Sequence, residues 1–126
     1  MWLNILVIAL GGAIGSVLRF FISSGVEGFF KRDYFPVGIL ACNIIGSFVI
    51  GIIAGVILKK AEFSELWRYF LIVGLCGGFT TFSSFSLDNL TLLRQGQISL
   101  AFVNIVISVF VCLFVTFIGF ALASKV

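Results

Sequence analysis

Histidine is absent from this 126-residue chain, proline and methionine occur once each, and only 10% of the residues are charged. Soluble domains carry about a quarter charged residues, so a soluble fold is excluded. Without histidine there is no imidazole acid–base chemistry and no Ser-His-Asp triad. The three cysteines, Cys42, Cys76 and Cys112, lie far apart in apolar runs and lack the paired spacing of a zinc site or a disulfide framework, so each reads as a small core residue. The net charge of +3 comes from a few residues at the ends of those runs and gives no reason to invoke nucleic acid. What remains is hydrocarbon: 61% apolar residues and a mean hydropathy of +1.28, the composition of an all-α integral membrane protein.

At about 20 residues per span the chain holds four helices and no extramembrane domain. The apolar runs cover about residues 2–22, 37–58, 66–93 and 98–123, within a single transmembrane domain over 1–126. The first begins at Trp2 with no basic residue ahead of it, which suits a retained span better than a signal peptide. Glu27, Lys31, Arg32 and Asp33 fall in the first connection, which ends at Pro36, a residue suited to a first helical turn. Lys59, Lys60, Glu62 and Glu65 mark the second connection, and Arg94-Gln95-Gly96-Gln97 the third. Trp2, Tyr34, Trp67 and Tyr69 fall near span ends, where amphipathic rings favour the headgroup layer.

Lysine and arginine bias sets membrane orientation, and here there is none. One side carries Lys59, Lys60, Arg68 and Lys125, the other Arg19, Lys31, Arg32 and Arg94. The count admits insertion both ways up, with opposed copies pairing about a two-fold axis in the membrane plane. It equally admits a fixed orientation set by other features.

Small and polar residues recur in steps of four, the spacing of one helix face. The first span gives Gly11, Gly15, Arg19 and Ser23; the second Asn43, Ser47, Gly51 and Gly55; the last Asn104, Ser108, Cys112 and Thr116. For the glycines, close helix packing is the expected role. Asn43 and Asn104 differ, because a carboxamide in hydrocarbon needs partners, and its NH₂ group serves an anion as readily as a backbone carbonyl. Two charges fall inside the spans, Arg19 and Asp88. An intramembrane charge marks a candidate functional site. Arg19, near its span's end, also fits snorkelling to the interface, and Asp88 fits a cation partner, a basic partner or a local cap.

The third run contains the stretch GGFTTFSSFS, residues 77–86, preceded by Gly74. Glycine in a helix interior costs about 1 kcal/mol relative to alanine, and hydroxyls compete for backbone bonds. The combination predicts a helix broken near its middle, over about residues 77–80. Broken backbone at membrane depth is tolerated only where protein buries it or it lines a cavity. Freed carbonyls there coordinate cations, while a packing kink with satisfied hydroxyls is the structural alternative.

GGAIGSVLRF (11–20), PVGILACNIIGSFVIG (36–51) and GLCGGFTTFSSFSLD (74–88) together resemble the Fluc/CrcB family of small fluoride channels, in order and spacing. The third motif is the specific one. The resemblance implies an antiparallel, dual-topology homodimer with two pores in the bacterial cell membrane, conducting fluoride passively around a central structural sodium ion. Phe82 and Phe85 match the phenylalanines lining the fluoride path, and Asn43 the asparagine facing them. Thr81, Ser83 and Ser84 fall in the region of the polar track, Ser108 on the fourth span is assigned to the same path, and Arg19 matches an arginine near the vestibule. Gly77 and Thr80 match positions whose backbone carbonyls hold the sodium. Two positions depart from the expected pattern: Asp88 stands where glutamate is expected, and Asn104 where a different polar or aromatic residue is.

Two other classes fit four short spans. A small proton-coupled multidrug exporter needs a membrane-embedded acid, and the first span has none before Glu27. A non-transporting assembly subunit would use its glycines and hydroxyls for packing alone. No constellation of residues suggests an enzyme.

Overall fold

The structure is a computed structural model that describes residues 1–30, 34–60 and 62–125; Lys31, Arg32 and Asp33 of the first connection lie outside the described residues. Helices account for almost all of it: α1 (Trp2–Phe30), α2 (Val37–Lys59), α3 (Glu65–Arg68), a π-helical stretch (Tyr69–Cys76), α4 (Gly77–Phe79), α5 (Phe82–Arg94) and α6 (Ile98–Lys125). Four stretches are long and apolar enough to cross a membrane, Trp2–Phe30, Val37–Lys59, Glu65–Arg94 and Ile98–Lys125. The second, third and fourth agree with the sequence reading to within two residues at each end.

The first span does not end near residue 22. It continues through Glu27 to Phe30, so Glu27 is helical rather than part of the connection. The reason is tertiary: the start of α2 lies against this extension, and a Cβ at Gly38 would meet the Ser23 carbonyl oxygen at 2.7 Å and Glu27 Cγ at 2.8 Å. Pro36 sits one residue ahead of the first turn, at the N-cap of α2, and its carbonyl accepts from the Leu40 N–H at 3.3 Å.

Glycine decides which helices touch. On one side of the bundle, α1 lies backbone to backbone against the first half of the third span. A Cβ at Gly11 would stand 2.5 Å from the Phe70 carbonyl oxygen, one at Gly74 2.9 Å from the Gly11 Cα, and one at Gly78 2.5 Å from the Gly12 carbonyl oxygen. On the other side α2 packs along α6. A Cβ at Gly51 would strike the Thr116 carbonyl, one at Gly119 the Phe48 carbonyl, and one at Gly55 would come within 2.7 Å of the Phe120 carbonyl oxygen. Thr116 ties the second pair, its hydroxyl 3.0 Å from the Ser47 carbonyl and 2.8 Å from its own-helix Cys112 carbonyl. In a solvent as apolar as leucine, close packing and interhelical hydrogen bonds replace the hydrophobic effect as the associating force. Cys42 and Cys76 are buried as expected of small core residues.

The turn from α5 into α6 brings the last two helices side by side. Gly96 adopts φ 75°, the left-handed conformation that glycine reaches without penalty. The Gly96 N–H bonds to the Leu93 carbonyl at 3.1 Å and the Gln97 N–H to the Leu92 carbonyl at 2.8 Å. This is a Schellman closure, and α6 starts at once at Ile98.

Candidate functional site

The third span is broken, but not where its glycines predicted. Gly77 is helical, at φ −63° and ψ −36°, and α4 runs on to Phe79. The extended residues are Thr80 (ψ 151°) and Thr81 (φ −152°, ψ 123°). Gly74 and Gly78 serve contact with α1 instead. A glycine relaxes the helix but does not force it open, whereas Thr81 is held open by bonds that compete with the helix. Before the break the chain winds as a π-helix through Tyr69–Cys76, an unusual form that recurs at functional sites.

Asn43 on α2 provides two of those competing bonds. Its Oδ1 accepts from the Thr81 N–H at 3.0 Å, and its Nδ2 donates to the Thr81 carbonyl at 3.3 Å. The carboxamide thus pairs with one residue's backbone as a neighbouring strand would. In a continuous α-helix the Thr81 N–H would bond to the carbonyl four residues earlier, that of Gly77. Asn43 takes that donor.

Thr81 then caps α5. Its Oγ1 accepts from the Ser84 N–H at 3.2 Å, the usual service of an N-cap threonine to the third helical residue. The same oxygen lies 3.0 Å from Ser83 Oγ and 3.3 Å from Ser84 Oγ. Because the Ser84 N–H is used here, it is withdrawn from the Thr80 carbonyl. Thr80 itself closes α4, its N–H and its hydroxyl both donating to the Cys76 carbonyl, at 2.9 and 2.8 Å. Gly46 makes room for this corner, since a Cβ there would strike Thr80 Cγ2.

A groove of about 400 Å³ opens beside the break, with Asn43, Ser47, Thr80, Thr81, Ser108 and Cys112 among its lining residues, together with the rings of Phe82 and Phe85. The ring centroids are 5.3 Å apart, with the planes tilted by 44°. Phe82 is 78% exposed, so one wall of the groove is open in the single chain. Of the residues assigned to a common path from the sequence, the fold brings Asn43, Thr81, Phe82, Phe85 and Ser108 together here. It does not bring in Ser83, Ser84 or Arg19. Arg19 lies about three turns before the end of α1, where its carbonyl accepts from the Cys42 thiol at 3.7 Å.

The stripes divide by function. Asn43 and Ser47 face the groove, while Gly51 and Gly55 of the same row pack on α6. On α6, Ser108 and Cys112 face the groove, and Asn104 turns to α5, its Nδ2 donating to Asn89 Oδ1 at 3.0 Å. Asn89 does not stand out in the sequence, where the charge of Asp88 beside it is the more conspicuous feature. The available signal is its position four residues after Phe85, on the same helix face. Asp88 Oδ2 is a buried oxygen with no hydrogen-bond partner among the described residues.

These features define a class: a multi-pass α-helical protein of the cell membrane, with a lipid-depth break in its third span and a mixed aromatic and polar groove beside it. A family profile described as "CrcB-like protein, Camphor Resistance (CrcB)" matches residues 6–120. The chain is 42% identical over 121 residues to a protein of Pyrococcus horikoshii, covering 96% of each chain. It is 41% identical over 121 residues to one of Chromobacterium violaceum, covering 96% of this chain and 94% of the relative. It is also 42% identical over 122 residues to one of Flavobacterium psychrophilum, covering 97% and 98%. All three relatives carry the name "Fluoride-specific ion channel FluC". The chain belongs to the CrcB-like family.

Proposed function

We propose that this protein is a fluoride-selective channel that lets fluoride leave the cell passively, and that it works as an antiparallel homodimer with two pores. The observation that carries the reading is the groove itself, where two phenylalanine rings stand beside an asparagine, hydroxyls and the N-terminus of α5. The naming of relatives about 40% identical along the whole chain agrees with it.

Fluoride is small, strongly hydrated and a strong hydrogen-bond acceptor. A pore must replace its water without trapping it, since conduction needs binding weak enough to release. Hydroxyl and amide donors do this piecemeal, and a phenylalanine offers its positive edge while excluding bulk water. The N-terminal end of α5 adds a partial positive charge without a fixed cation in the narrow section. Arg19, outside the groove, serves to raise anion concentration near an aqueous entrance. No carboxylate is among the groove-lining residues described, which disfavours proton-coupled drug export.

The open wall at Phe82 and the balanced lysine and arginine count support the dimer, and an isologous pair would repeat every site, giving two pores. The two freed carbonyls fit a cation. Asn43 withdraws the helical donor from Gly77 and the Thr81 cap withdraws it from Thr80, so Gly77 and Thr80 would hold a sodium ion through backbone oxygen. The ion would supply positive charge joining the two copies at the break. Gly77 is exposed, and a Cβ there would meet only the Ile72 carbonyl oxygen, at 3.6 Å. Gly77→Val is therefore expected to fold within the chain but to lose dimerisation or sodium binding. An intact variant dimer with unchanged sodium affinity by isothermal titration would remove Gly77 from that role.

Efflux from proteoliposomes tests the whole reading. Purified protein should release fluoride and retain chloride without a proton gradient; strict proton coupling, or no flux, would overturn it. Ring contacts of about 1 kcal/mol correspond to about a fivefold rate change. Phe82→Ile and Phe85→Ile should each slow fluoride efflux by at least that factor with the dimer intact by gel filtration. Wild-type rates in both would exclude the rings.

A further inference from the structure

The three polar side chains buried among the described residues, Asn89, Asn104 and Ser108, are 6%, 2% and 7% exposed, and they are consecutive members of one hydrogen-bonded chain. Asn89 Nδ2 donates to the Phe85 carbonyl at 2.9 Å. Asn89 Oδ1 accepts from Asn104 Nδ2 at 3.0 Å. Asn104 Oδ1 accepts from the Ser108 hydroxyl at 3.5 Å. The chain begins on the backbone of a groove aromatic on α5, crosses between helices, and ends on a groove hydroxyl of α6.

Its placement matters because α5 is detached from the rest of its own span. The helix is fixed at one end by the Asn43 pairing with Thr81 and at the other by the Gly96 turn, where Leu92 is 1% exposed. Between these ends, the bond from Asn104 to Asn89 is the one side-chain hydrogen bond among the described residues that joins α5 to another helix. This bond adds to packing in restraining α5 against roll about its axis, and roll is the motion that would carry Phe85 across the groove. A carboxamide pair resists roll because Asn89 is held at both its oxygen and its nitrogen, by Asn104 across the helices and by the Phe85 carbonyl. An apolar pair of similar size would fill the space without fixing an angle.

We propose that Asn89 and Asn104 are positioning residues for selectivity: they set the rotation of α5 against α6, so that the Phe85 ring meets the anion in one geometry. The inference rests on the fluoride-channel reading above. Neither residue lines the groove; both act through Phe85, whose carbonyl holds Asn89.

The test is the double variant Asn89→Leu/Asn104→Leu, with Asn89→Ala as a second variant, measured as fluoride and chloride efflux per dimer from proteoliposomes. Replacing both partners of a buried hydrogen bond by apolar groups is tolerated far better than orphaning one, so the double variant should assemble normally. Misplacing groups by about 1 Å costs up to about a hundredfold in a precisely arranged site. Fluoride efflux should fall by between about tenfold and a hundredfold, with the ratio of fluoride to chloride flux reduced in both variants. A selectivity ratio equal to wild type would overturn the proposal, as would a double variant that yields no folded protein, which would assign the pair to folding. Wild-type protein without fluoride flux in the same vesicles would sink the channel reading itself, an outcome separate from either of these.

Discussion

Asn43→Leu is expected to abolish fluoride efflux, by about a hundredfold or more, while leaving all four spans in the membrane. The substitution removes both bonds to Thr81, at 3.0 and 3.3 Å. Leucine keeps the branched outline of asparagine but pairs with nothing, so the Thr81 N–H and carbonyl would be left at membrane depth. An unpaired peptide group away from water costs about 2–7 kcal/mol, a range that includes the roughly 2.7 kcal/mol corresponding to a hundredfold in rate. The cheaper course is for the Thr81 N–H to return to the Gly77 carbonyl. That would extend α4 across the break, turn Phe82 away from the groove and withdraw an oxygen from the proposed sodium site. Efflux and sodium binding should therefore fail together. Asn43→Ser should be intermediate, because one short hydroxyl cannot make both bonds. Fluoride efflux at the wild-type rate in Asn43→Leu proteoliposomes would show that the break holds itself open.

Gly15→Leu is expected to prevent assembly rather than conduction. Gly15 is buried, and a Cβ at this position would collide with the Leu75 carbonyl and lie 2.9 Å from the Phe79 N. Overpacking costs about 1–3 kcal/mol where side chains can shift. Here the neighbours are main chain on the π-helix and α4, so the helices must part along their length. Parting also loses the contacts at Gly11, Gly74 and Gly78. Gly15→Ala should already lower the thermal midpoint of the purified protein, and Gly15→Leu should give no monodisperse peak on gel filtration. By contrast, nothing among the described residues lies within 4 Å of a Cβ placed at Gly25 or Gly28, and alanine at either should leave the midpoint near wild type. Equal stability of Gly15→Leu and Gly25→Ala would remove the glycine contact between α1 and the third span as a determinant of the fold.

Four spans and their boundaries could be read from the sequence because lipid imposes length and composition directly: an apolar run either crosses the bilayer or does not. The exception, α1 beyond residue 22, failed where the determinant was a neighbour. Ser23, Gly25 and Gly28 weaken the apolar signal, and the helix persists where α2 packs against it through Gly38. The glycine stripes were legible as packing surfaces, since small residues at four-residue spacing have few other uses in lipid. Which helix each stripe meets was not legible, because spacing describes a face and says nothing of what lies opposite.

The site divides in the same way. That the third span breaks was legible in its glycines and hydroxyls, and the grouping of Asn43, Thr81, Phe82 and Phe85 in the family likeness of the motifs that hold them, whereas Ser108 lies outside those motifs, on the polar row of the fourth span. The position of the break belonged to the tertiary structure. Gly77 and Gly78 are permissive, but a helix opens where its N–H groups find other acceptors. The acceptor for Thr81 is a side chain 38 residues away on α2. The same holds for Asn104, whose partner Asn89 is brought to it by the Gly96 turn. Local composition determined which groups must be satisfied inside the membrane, and only the folded chain chose the partner for each, because a hydrogen bond is decided by position across helices.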